Sequence, residues 1–270
     1  MSVESNGLAV PIRVPLEAEN RPERLPAALF PYRGKLCITA DDYGETEWTN
    51  WTVERLADTG AIDAVSVMVH QGALLSSISR LRASGLPTGL HLVFTRERAL
   101  TRALGQLPGG WRRLSARLLV EPGLVRKLVV EAEAQIERFL SLGLPLDFIN
   151  GHQHAHLLPP LWPALAELIE KVAPQAAVRV AIGQLPSWSA QGLVTLSSEL
   201  CWRRRPLPGC AVLSPLGVSD SGRLTLRSVA RELRAAQAMR GVCPELVVHP
   251  AREYALLASP AIKKLLERHG

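Results

Sequence analysis

Three histidines stand within five residues, in Asn150-Gly-His-Gln-His-Ala-His156. In extended backbone, residues two apart face the same side, so His152, His154 and His156 can all address one cavity. Two adjacent carboxylates, Asp41 and Asp42, follow a short apolar run, Lys35-Leu-Cys-Ile-Thr-Ala40. His91 lies within Gly89-Leu-His-Leu92, and His249 ends Glu245-Leu-Val-Val-His249. Neutral imidazoles together with carboxylates form an N/O donor set suited to one divalent cation. Of two neighbouring carboxylates, one can bind the ion while the other accepts a proton. A late histidine is a candidate general acid, because imidazole titrates near neutral pH. Taken singly, each residue has an ordinary structural role as a helix cap, a packed strand residue or a strand end before proline. Taken together, histidines from three predicted strand ends and a carboxylate pair from a fourth point to one constellation.

Such a constellation needs a scaffold. Apolar runs predict strands at 35–40, 64–69, 88–93, 145–150, 177–181 and 245–249. Amphipathic or capped segments predict helices at 46–59, 73–84, 123–142, 161–172 and 226–240, with a short one after Ser259. Alternation of this kind implies a parallel sheet with helical crossovers. Ligand sites in such α/β folds lie beyond the carboxyl ends of the strands, where these histidines and aspartates fall. Residues 96–122 read as irregular and basic, and 185–225 as a poorly periodic insertion or lid. Prolines 11, 15, 22, 26 and 31 break any pattern in residues 1–34. That stretch is expected to be an arm packed on, or extending from, a barrel formed by 35–270.

The 270 residues carry 31 Lys and Arg against 25 Asp and Glu, a net charge of +6. The modest excess and the absence of a basic tail argue against a nucleic-acid partner. It suits an anionic substrate group, and the basic runs at 111–113 and 202–205 leave peripheral membrane contact open. The four cysteines (37, 201, 210 and 243) form no C-x-x-C pair, and Cys37 reads as core packing. With no apolar leader and no long apolar span, a cytoplasmic location is expected.

The motifs Thr39-Ala-Asp-Asp-Tyr-Gly44, Ser66-Val-Met-Val69, Gly89-Leu-His-Leu-Val93, Asn150-Gly-His-Gln-His-Ala-His156 and Val248-His-Pro-Ala251 occur in this order. Together they resemble the YdjC-like carbohydrate deacetylases, a group that includes chitooligosaccharide deacetylases and deacetylase-like proteins of hopanoid biosynthesis. The resemblance implies a distorted (β/α) TIM-like barrel related to polysaccharide deacetylases. It implies removal of an N-acetyl group from an amino sugar of an oligosaccharide, glycolipid or other glycoconjugate. It places the metal ligands on Asp42, His91 and His152, the proton acceptor on Asp41 and the general acid on His249. The His152–His156 spacing keeps His156 open as a ligand in place of His91. Arg179, at a predicted strand end, is expected to hold Asp41 ionised. His154, His156, Arg179, Tyr43 and Asn150 are expected to contact substrate or support the ligands. Asn150 stands where the chitooligosaccharide branch often has Asp, and Tyr43 where Phe is usual. The implied cofactor is one divalent ion, Zn²⁺ or Mg²⁺, with Mn²⁺ and Co²⁺ as alternatives. The implied partner is an N-acetylated amino sugar, anionic or lipid-linked, and a homodimer is left open. Two other readings remain: another metallohydrolase on the same barrel, and a non-catalytic relative that binds sugar or metal.

Overall fold

The computed structural model describes residues 36–70, 72–181, 190–207, 212–238 and 243–267. The expected arm, 1–34, lies outside the described residues. Seven parallel strands close into a barrel in chain order: β1 (Cys37–Tyr43), β2 (Ala64–Val67), β3 (Thr88–Leu92), β4 (Phe148–Gly151), β5 (Ala177–Arg179), β6 (Val212–Leu216) and β7 (Cys243–Val248). Every strand residue is buried. This explains their unbroken apolar runs, because a parallel strand is covered on both faces. The first and last strands pair directly, with Cys37 opposite Glu245 and Ala40 opposite Val248.

Helices α1 (Glu47–Asp58), α2 (Ala73–Ser84), α4 (Leu124–Ser141), α5 (Trp162–Val172) and α7 (Leu226–Ala238) cross between strands, α3 (Trp111–Val120) precedes α4, and α8 (Pro250–Leu257) and α9 (Pro260–Glu267) follow β7. Thr46 caps α1 by accepting from the Thr49 amide at 3.0 Å. Val53 and Leu56 turn inward from that helix. The stretch 185–225 departs from its expected role as an insertion or lid. It contains α6 (Ala190–Arg204) and the sixth barrel strand, β6. Pro215 and the shortness of the β6 run hid that strand. Residues 96–122 likewise hold α3, whose single buried side chain, Leu114, leaves almost no apolar stripe to read.

One aromatic ring fills the barrel floor. Phe148 packs there with Cys37, Ala64, Ala177, Leu213 and Cys243. A Cβ on Gly89 would come within 2.3 Å of that ring, so β3 needs glycine two residues before His91. Cys37, Cys201 and Cys243 are free and buried, and Cys210 lies outside the described residues. Among the described residues, no helix is long and apolar enough to cross a membrane.

Candidate functional site

Strand ends deliver the site. β1 breaks its regular pairing with β2 between Ala40 and Tyr43, and Asp42 adopts the left-handed conformation at φ 69°. Regular strand geometry would send Asp41 and Asp42 to opposite faces. The irregularity re-aims the chain, and both carboxylates line one cleft of about 680 Å³. His91, His152, His154, Arg179 and His249 line the same cleft.

Asp42 Oδ1 lies 3.3 Å from His91 Nε2 and 3.3 Å from His152 Nδ1. It is buried, and neither contact has hydrogen-bond geometry. These three donor atoms sit within 4.8 Å of one another. Two ligands held about 2.0–2.1 Å from an ion at the tetrahedral angle stand about 3.3 Å apart. A carboxylate oxygen unserved by hydrogen bonds but faced by two imidazole nitrogens therefore fits a divalent ion, and two His with one Asp suit zinc first. Burial works to raise the Asp42 carboxyl, but the facing His152 and His91 imidazoles hold it well below its usual range. Burial works to lower His91, but Asp41 and Asp42 raise it.

Asp41 belongs to a separate, charge-paired group. Arg179 Nη1 and Nη2 donate to its two oxygens at 2.6 and 2.8 Å. The same guanidinium donates through Nε and Nη2 to Glu245 at 2.6 and 2.9 Å. All three side chains are buried. Burial would raise the Asp41 carboxyl, but the Arg179 charge outweighs it and holds the group at about 2. Sequence reasoning missed Glu245. Its signal was a lone acid inside an apolar strand, which must find a cation if it is buried.

The 152–156 segment corrects the expectation of extended backbone. It is a 3-10 turn, and Gln153 and His154 take left-handed φ values of 55° and 54°. The alternation of faces is lost as a result. His156 turns away from the cleft and donates through Nε2 to the Arg179 carbonyl at 3.0 Å. It is not brought to the Asp42 cluster, whereas His91 is. His154 remains on the cleft wall, where burial and then the Arg179 charge push its imidazole down to about 3.

Asn150 is buried beneath His91 and opposite it in register. Its amide lies 2.7 Å from both Ser66 Oγ and His91 Nδ1. With the oxygen turned toward Arg179, it accepts from Nη2 at 2.9 Å and Nη1 at 3.1 Å. In that orientation its nitrogen donates to His91 Nδ1 at 2.7 Å, so the amide links His91 to Arg179. Tyr43 is not brought to the cleft. Its hydroxyl donates to Glu54 Oε1 and to the Ser77 carbonyl, both at 3.0 Å, between α1 and α2.

His249 faces the other oxygen of Asp42, with Nε2 at 4.0 Å from Oδ2. Ser221 Oγ lies 3.3 Å from its Nδ1. Its backbone amide donates to Glu253 Oε2 at 2.7 Å, and Glu253 Oε1 accepts from the Leu224 amide at 3.0 Å. A buried glutamate thus ties His249 to the loop that bears Ser221. Glu131 does the same for the loop after β3, accepting from the Leu100 and Thr101 amides at 3.0 and 2.9 Å. That loop brings Arg96 and, through α3, Trp111 to the cleft. Neither glutamate was singled out from sequence, because each stands among other charged residues on an amphipathic helix.

Residues 35–268 match the model of the YdjC-like protein family. A carbohydrate deacetylase of Vibrio campbellii is 32% identical over 51% of this chain and 56% of its own length. A carbohydrate deacetylase of Mus musculus is 27% identical over 82% of this chain and 79% of its own. The chain spans little more than half, 56%, of the length of the first curated relatives it matches. A solved Enterococcus faecalis protein, 18% identical, superposes with a TM-score of 0.66 over 87% of this chain and 94% of its own, which shows a shared fold. The family match covers the whole described barrel and every residue of the cleft, so the chain belongs to the YdjC-like protein family.

Proposed function

We propose that this chain is a metal-dependent carbohydrate N-deacetylase, hydrolysing the N-acetyl group of an amino sugar. The observation that carries the reading is the meeting of three groups in one cleft: the Asp42–His91–His152 cluster, the Arg179-paired Asp41, and His249. Relatives named carbohydrate deacetylase point the same way. A divalent ion held by Asp42, His91 and His152 supplies Lewis acidity toward the acetyl carbonyl and lowers the pKa of water.

The remaining steps belong to the chain. Asp41, kept ionised by Arg179, orients the attacking water and takes its proton as charge develops. His249 donates a proton to the departing amine, without which the amide nitrogen is a poor leaving group. Neutral His154 offers an uncharged hydrogen-bonding wall. Trp111 gives the sugar an apolar face beside it, and its backbone amide is held by Gln153 Oε1 at 3.0 Å. A cleft of about 680 Å³ is of the size that encloses small ligands.

The test is release of acetate and free amine from N-acetylated sugars, from chitobiose to nucleotide- and lipid-linked N-acetylglucosamine. Each is assayed with chelator and after return of Zn²⁺, Mg²⁺, Mn²⁺ or Co²⁺. Chelator-sensitive release supports the reading. Tight metal binding with no release from any of these sugars, or from a wider amide and ester panel, favours a non-catalytic binding protein.

A further inference from the structure

Helix α1 carries two tryptophans on its outer side, beside the cleft. Trp48 and Trp51 are 52% and 42% exposed. Their rings stack, with centroids 5.1 Å apart and planes 16° apart. Tyr254 of α8 meets Trp48 edge-on at 6.4 Å and Trp51 at 5.3 Å. Trp48 Nε1 donates to the Ala251 carbonyl at 3.1 Å, which fixes the indole against the start of α8. The neighbouring Arg252, like His249, lines the cleft. The aromatic cluster is thus anchored one residue along α8 from a cleft-lining side chain, on the His249 side.

We propose that Trp48, Trp51 and Tyr254 form an accessory carbohydrate subsite, holding an uncharged sugar unit of a glycan whose acetylated unit occupies the cleft. This rests on the deacetylase reading and extends it. A pyranose ring has a C–H-rich face that packs on an indole while its hydroxyls stay in water. The size of the patch fits this occupant. Two half-exposed indoles offer roughly 200 Å², against about 800 Å² per partner for a stable protein interface. Its charge fits as well. Helix α1 bears Glu47, Glu54 and Asp58 against Arg55, a balance that opposes an anionic bilayer. The stacking and the Trp48–Ala251 bond order the rings in advance, so binding freezes little side-chain freedom.

The test titrates the full chain, with chelator present, with N-acetylglucosamine and with its β-1,4-linked tetramer by calorimetry. Trp51→Ala should weaken tetramer binding about 10-fold and leave monomer binding within about twofold. Trp48→Phe, which keeps a ring, should retain most of the affinity. Equal tetramer affinity in wild type and Trp51→Ala, no tetramer binding, or Trp51-dependent self-association or vesicle binding in its place would overturn the subsite. The two readings separate cleanly. Trp51-dependent tetramer binding, with no acetate release by the metal-loaded protein from any sugar of the panel, keeps the subsite and removes the deacetylase. Acetate release indifferent to Trp51 does the reverse.

Discussion

Arg179 joins Asp41 to Glu245 by using two edges of one guanidinium, with all four contacts between 2.6 and 2.9 Å. The three side chains are almost wholly shielded from water. Two carboxylates share one cation, so the group keeps a single negative charge beside the cleft. Lysine could not reproduce it, because a point ammonium cannot serve two carboxylates edge-on.

Arg179→Met should therefore leave two buried carboxylates without a cation. Removing one partner of a buried ion pair typically costs about 3–5 kcal/mol. Urea unfolding of the variant should show a loss of that order. A loss below about 1 kcal/mol would show that the triad does not form in solution.

Asp41→Asn keeps the shape and removes the charge, and Glu245 still neutralises Arg179. Turnover on an N-acetylated substrate should fall by about 10²–10⁴-fold, the usual contribution of a general base. Zinc content, measured by elemental analysis, should stay near one per chain, because the proposed ligands are Asp42, His91 and His152. Full turnover with normal zinc content would remove Asp41 from the reaction.

His156 makes the fold sensitive to mild acid. Its burial holds the imidazole at about 3, against about 6.5 in an unfolded chain. Below pH 6.5 the unfolded chain takes up a proton that the folded chain refuses. Stability is therefore full above about pH 6.5 and declines progressively toward about pH 3. His156→Gln retains a donor for the Arg179 carbonyl and does not titrate. Its unfolding free energy should decline less steeply across that window, by up to about 1.4 kcal/mol per pH unit. An unchanged slope in denaturant titrations at several pH values would refute the assignment.

Metal should stabilise the fold through the site it occupies. At a free concentration one hundred times its Kd, an ion contributes about 2.7 kcal/mol. Zinc should raise the Tm of the metal-free protein by roughly 5–10 °C, and chelator should reverse the shift. His152→Ala, at the wetter edge of the cluster, should fold and lose the shift. If it responds to zinc as the parent does, the ion binds elsewhere.

Much of this arrangement was legible in the sequence. Strands such as Ala64–Val67 and Thr88–Leu92 announce themselves because both faces are covered, and polar residues appear where the strands leave the barrel. The cleft residues Asp41, Asp42, His91, His152 and His249 stand at those exits. Other features depend on three-dimensional contacts. Nothing local marks Gln153 and His154 as left-handed, and that pair of φ angles decides which histidines reach the cleft. Tyr43 follows Asp42 directly, but the irregular end of β1 sends it between α1 and α2 instead. Val212–Leu216 contains a proline, and only barrel closure identifies it as a strand. Glu245 acquires meaning only when β7 meets β1.

That last pairing has a consequence for biosynthesis. Asp41 emerges early from the ribosome, while Glu245 emerges more than 200 residues later, and β1 and β7 must lie side by side before both carboxylates meet one arginine. No nascent fragment short of β7 can assemble the centre. A chain terminated before β7 carries an open sheet edge and an arginine that has lost one of its two carboxylates, and both features expose it to quality-control proteases.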